Sequence, residues 1–194
     1  METATRPRPH GRSQVVAALI AAATRLFAER GPGAVSLREV AREANVNLGL
    51  IHRYIGGKQE LLALVLEARP GMPPLARLGR PAEDLAELVL ELIEADAQYT
   101  RVVLRATLDG FEVPQIQTAF PMLERATTAM REVLPQRDAD VRVGLLSAAI
   151  MGWQALAPLL LEVVGQEGLS VDELLDVLRP AIVGFLSAEP SQHL

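Results

Sequence analysis

The segment from Ser36 to Ile55, SLREVAREANVNLGLIHRYI, constrains the fold most, because its punctuation and periodicity read as two short helices around a tight turn. Ser36 and Glu39 stand as S-x-x-E, the capping box in which each side chain satisfies an orphan backbone donor at a helix start. Leu37, Val40, Ala41 and Ala44 follow at helical spacing and leave Arg38, Arg42 and Glu43 outward. Asn45 suits the left-handed conformation that ends a helix, and Asn47 suits the N-cap of the next. The second helix carries Ile51 and Ile55 on one side and His52, Arg53 and Tyr54 on the others. Such a pair is a helix-turn-helix, whose second helix suits the major groove of DNA.

Two flanking blocks extend the pattern. Ala18 to Gly31, ALIAAATRLFAERG, ends in Phe-Ala-Glu-x-Gly, and Gly56 to Leu62, GGKQELL, opens a further helix. In this order the three blocks resemble the TetR family of one-component transcriptional regulators, over roughly residues 13 to 67. The resemblance implies a three-helix helix-turn-helix DNA-binding domain at 13–69 and a helical effector-binding and dimerisation domain at 70–188. It implies a cytoplasmic homodimer on double-stranded operator DNA, most simply a repressor released by a small, largely apolar effector. It also implies that Lys58, with backbone N–H groups at a helix start, holds a DNA phosphate. His52 stands where the family usually has tyrosine, and Leu48 and Leu50 stand where it tends to place polar residues.

Arg53 is the candidate for reading a guanine edge or a phosphate, and Tyr54 and His52 are candidate phosphate donors. A neutral imidazole can still donate one hydrogen bond. Leu48 and Leu50 either read thymine methyls or exclude water, or one of them packs into the head. Gly49 permits close backbone approach. Ser36 and Asn47, at the two helix starts, complete the candidate DNA-facing set. The arm Arg6-Pro-Arg-Pro-His-Gly-Arg12 reads either as a minor-groove or phosphate contact or as a disordered tail.

Charge agrees with a split role. Up to Arg69 ten basic residues face six acidic ones, a surplus of four; beyond it nine face eighteen, so the net charge of −5 hides a basic head on an acidic body. Cysteine is absent, which excludes disulfides, thiol catalysis and Cys-ligated zinc. The three histidines lie in unrelated segments, no nucleophile elbow or phosphate-binding glycine loop occurs, and nothing points to an enzyme, a cofactor or a metal. Arginines ahead of Val15–Ala23 imitate a secretory signal, but the helical pattern runs on through Thr24, Arg25, Leu26, Phe27 and Ala28.

Beyond Arg69-Pro-Gly-Met-Pro-Pro74, where proline and glycine stop a helix begun near Lys58, helical segments read near 82–107, 114–134, 138–165 and 170–188. No strand pattern occurs, so the fold class is all-α. This break comes earlier than is usual in the family. The uncharged run Val143–Leu161 is nearly long enough to span a bilayer, but it holds Ser147, Gln154 and Pro158 and has no comparable partner segment. A helix buried in a core or subunit interface is expected instead, with no membrane partner.

Phe111, Phe120, Met122, Met130, Met151 and Trp153 are candidates for a flexible apolar effector pocket, with Gln154 as an orienting polar group. Leu174, Leu178, Ile182 and Leu186 recur after the Ser170–Glu173 capping box and form the expected dimer stripe, in a four-helix arrangement of the last two helices from each copy. A rival reading is a ligand-sequestering helical protein whose DNA head is impaired by Leu48, Leu50 and His52.

Overall fold

The computed structural model describes residues 9–69, 84, 86, 87, 89–91, 97–117 and 120–187. Every regular element among them is a helix. They divide into two compact units, one holding 9–69 and 97–117 and the other holding 84–91 and 120–187.

In the first unit α1 (Gly11–Arg30), α2 (Leu37–Glu43), α3 (Leu48–Tyr54) and α4 (Lys58–Ala68) enclose one core. Leu19, Ala23 and Phe27 of α1 meet Val40 of α2, Ile51 of α3 and Leu61, Leu62, Val65 and Leu66 of α4, all with no exposure. Burying each large side chain stabilises the unit by roughly 1.5–3 kcal/mol. Ile51 is the one fully buried residue of α3, so the remainder of that helix is left towards solvent. The expected punctuation is present: Ser36 and Glu39 form the capping box, Asn45 is left-handed at φ 55°, and the Asn47 carboxamide oxygen accepts from Gly49 N–H at 2.8 Å. Val46 N–H closes the end of α2 on Ala41 O at 2.9 Å.

α4 ends at Ala68: the following Pro70 disfavours right-handed helical geometry at Arg69, which turns left-handed at φ 43°. The rest of the proline-glycine break, residues 70–74, lies outside the described residues. α5 (Gln98–Leu108) and α6 (Val113–Ile116) complete this unit. α5 packs along α1 and buries Val102 and Ala106, although it lies well beyond the break read at 69–74. The continuous helix expected near 114–134 is interrupted at Gln117, which is extended, and at Phe120, which is non-helical at ψ 67°. Pro121 then opens α7 (Pro121–Arg131), because proline is tolerated in a first turn and forces its predecessor out of helical geometry.

The second unit holds α7, α8 (Gln136–Val163) and α9 (Val171–Ser187), together with helical residues between 84 and 91. Its core joins Ala86, Val89, Leu90, Ala126, Met130, Ala139, Val143, Ile182 and Leu186. α9 begins on the expected box: the Ser170 hydroxyl and N–H both donate to Glu173, which holds that carboxyl below its ordinary range. At its other end the Arg142 guanidinium donates to Phe185 O at 2.7 Å and lies over the Phe185 ring, a cation closing a helix C-terminus.

α8 is long and apolar enough to cross a membrane, yet only Ala139 and Val143 are buried along it. Val141, Leu145, Leu156, Leu159, Leu160 and Val163 are exposed, and so are Val177 and Phe185 on α9. Ile182 and Leu186, expected at a dimer interface, are instead core residues of their own unit, and Leu178 packs against the same cluster. Both faces of α9 carry apolar residues, Ile182 and Leu186 inward and Val177 and Phe185 outward.

Candidate nucleic-acid interface

The frame of the helix-turn-helix is set by charge pairs as well as by caps. Arg30 bonds Glu39 at 2.8 Å and Arg25 bonds Glu43 at 2.7 Å, so α1 holds both carboxylates of α2. Glu39 also accepts from Ser36 N–H at 2.8 Å and from its hydroxyl at 2.7 Å. The Ser36 N–H, then its hydroxyl, then Arg30 push the Glu39 carboxyl down to about 2 from 4.5. With both acids of α2 paired to α1, the guanidinium side chains of Arg38, Arg42 and Arg53 remain exposed.

The expected DNA-facing residues fall as follows. Ser36, Asn47, Gly49, His52 and Arg53 are exposed; Leu48, Leu50, Tyr54 and Lys58 are half-buried. The Arg53 guanidinium lies 5.7 Å from the Tyr54 ring centroid, which restrains a long side chain at the outer face of α3. The Ser36 hydroxyl and the Asn47 carboxamide oxygen are both engaged in caps.

Two of these residues have hydrogen-bond partners within the chain. His52 Nδ1 lies 3.1 Å from Gly56 O. A carbonyl only accepts, so Nδ1 carries the proton, and the single donor of a neutral imidazole is already used. In that tautomer Nε2 is an acceptor. Lys58 is also engaged within the chain. Its ammonium donates to Pro32 O at 2.7 Å and Gly33 O at 3.4 Å, tying the start of α4 to the α1–α2 turn. Beside it Glu60 reaches back to Gly57 N–H at 2.9 Å, so that donor is also satisfied within the chain.

That turn has further partners that sequence reading missed. Asp109, just past α5, accepts from Gly33 N–H at 2.6 Å, and Arg105 Nε donates to Ala28 O at 3.0 Å. The only local signal was Gly31-Pro-Gly33 itself, where two glycines announce close approach of something without naming it.

The expected effector residues do not gather as one group. Phe111 belongs to the first unit and lines an open cavity of about 490 Å³ with Gln59, Asp109, Glu112, Gln115 and Ile116, a mostly polar lining. Met130 is fully buried in the core of the second unit. Phe120, Met151, Trp153 and Gln154 are half-buried. The Met122 side chain lies outside the described residues, as do Arg6 and Arg8 of the N-terminal arm. Within α5 and its successor, Tyr99 donates to Gln117 at 3.0 Å, and burial raises the Tyr99 pKa.

Residues 19–65 match the family model of bacterial regulatory proteins of the tetR family. The chain is 36% identical to the HTH-type transcriptional repressor Rv3405c of Mycobacterium tuberculosis over 189 residues, covering 95% of each chain. Two solved structures share the fold. HlyIIR, a hemolysin II transcriptional regulator, gives a TM-score of 0.65 at 18% identity and covers 92% of this chain and 100% of that one. BioQ with its double-stranded DNA operator gives 0.56 at 17% identity, covering 93% and 99%. A capped helix-turn-helix on an all-helical body, joined to this near full-length similarity, makes the chain a member of the TetR family of transcriptional regulators.

Proposed function

We propose that the protein is a homodimeric repressor that reads operator DNA with α3 of each copy and leaves it when a small, largely apolar molecule binds the second unit. The supporting observation is α3 itself. It stands on one buried anchor, Ile51, is capped by Asn47, and presents Arg53, Gly49 and half-exposed Leu48 and Leu50 beside an α2 whose two acids are paired with arginines of α1. Arg53 suits a guanine edge, and the leucines suit thymine methyls. One short helix reads few bases, so specificity needs a second copy one helical turn of DNA away. The exposed apolar stripes of α8 and α9 suit that pairing. In this reading Tyr54 contacts phosphate, and Lys58 does so with the ammonium proton its two carbonyl partners leave over. Such a regulator works in the cytoplasm, beside the DNA it controls.

A gel shift with DNA from upstream of the coding region tests the DNA arm. The effector arm is tested by titrating apolar ligands against the emission of Trp153 with and without operator. Binding to DNA and to effector must weaken each other by one common factor, about 5–150-fold for an ordinary coupling. Equal ligand affinity in both titrations would make the protein a constitutive binder. A second reading, a ligand-sequestering protein with an impaired head, draws on the engagement of Lys58 and of the His52 donor within the chain. No shift with any upstream fragment, alongside tight ligand binding, would favour it.

A further inference from the structure

We propose that Asp109 is a positioning residue for operator binding: its carboxylate, seated on the Gly31–Gly33 turn, sets the entry into the helix-turn-helix, so that α5 governs DNA affinity through it. The proposal rests on the DNA-binding reading above.

The seat is built from both sides. Gly33 N–H donates to Asp109 at 2.6 Å, while the carbonyls of Pro32 and Gly33 accept from the Lys58 ammonium. Arg105, one helical turn before Asp109, holds Ala28 O at the end of α1. The turn leading to Ser36 is therefore held by α4 through its carbonyls and by α5 through its amide.

The glycines are the independent sign that this carboxylate belongs there. A Cβ on Gly31 would stand 2.5 Å from Asp109 Oδ2, and one on Gly33 would stand 2.9 Å from Asp109 Cγ. Gly31 also has φ +82°, which restricts side chains by itself. Gly33 has no such backbone demand, and the nearest obstacles to a side chain there are atoms of Asp109. A side chain at position 33 would therefore displace a carboxylate 76 positions away. Because Ser36, the N-cap of α2, stands three residues after Gly33, displacement of the turn is delivered directly to the frame that orients α3.

The sign of the effect separates this role from plain electrostatics. Removing a negative charge from a DNA-binding head should leave affinity unchanged or raise it. Removing a positioning contact should lower it.

Operator binding by the full-length protein would be measured for wild type, D109A, D109N, G33A and the G33A/D109A pair. D109A should bind on the order of tenfold more weakly, as for loss of one charge-assisted hydrogen bond. Its affinity should keep the wild-type slope against salt, since no phosphate contact is lost. D109N keeps an oxygen to accept from Gly33 and should remain close to wild type. G33A should be weak, and adding D109A should make it no weaker, because the carboxylate it meets is gone. Hydrogen exchange at the Gly33 amide, slow in wild type and D109N and faster in D109A, reports the seat without DNA. Unchanged or tighter binding by D109A, or equal Gly33 exchange in all variants, would overturn the proposal. A wild type that shifts no DNA would overturn the DNA-binding reading instead, while Gly33 exchange still decides whether the seat exists.

Discussion

Replacing Leu145 by aspartate tests which face of the second unit meets another copy. In a single chain Leu145 is 57% exposed, and Val141, Leu156, Leu159, Leu160, Val163 and Val177 are each at least 45% exposed. Full burial of such a side chain stabilises by roughly 1.5–3 kcal/mol, so covering the remaining half is worth about 1 kcal/mol each. Summed over both copies of such stripes, this exceeds the low end of the 4–15 kcal/mol that association costs. An aspartate at 145 loses that gain twice across a two-fold axis and buries two unpaired carboxylates at several kcal/mol each. The dimer should weaken by at least about a thousandfold, roughly 4 kcal/mol. Within the chain the same substitution meets mainly solvent, so helicity should persist. Leu186→Ala is the control: Leu186 is 1% exposed inside the unit, and its truncation should cost about 2–5 kcal/mol of stability. Sedimentation velocity at micromolar concentration, with circular dichroism melts, reads both. A Leu145→Asp variant that stays dimeric with a wild-type melt would refute the assignment of this face.

Three further outcomes follow from the head. Arg53→Ala should weaken operator binding by about 1–3 kcal/mol and relax preference at one base pair, measured by anisotropy across single-base operator variants; retention of full affinity and preference would remove Arg53 from the recognition face. His52→Tyr supplies a hydroxyl donor not committed to Gly56, so operator binding should tighten a few-fold; weaker binding would show that His52 acts through its bond to Gly56. Glu39, held at about 2 in the fold against 4.5 free, contributes stability that is complete above 4.5 and is lost as pH falls towards 2. Glu39→Gln should therefore show a shallower loss of stability in acid than wild type over that window, read by denaturant melts, and parallel curves would refute the linkage.

What the sequence alone determined is what neighbouring residues decide among themselves. The Ser36–Glu39 and Ser170–Glu173 boxes, the left-handed Asn45 and the Asn47 cap join partners within three residues, or need only the residue's own backbone freedom. The helix-turn-helix was legible because it is made almost wholly of such terms plus one apolar stripe ending in Ile51. Tertiary structure decided everything that required the chain to return on itself. It put α5 against α1, seated Asp109 on Gly33, and turned Lys58 towards Pro32. It also chose which apolar face of α9 turns inward. Ile182 and Leu186 compete there with Val177 and Phe185, and periodicity cannot rank two stripes of similar hydrophobicity. The choice falls to the shape of the partners across the core, above all Met130 and Val143, and that shape exists only once the helices have packed.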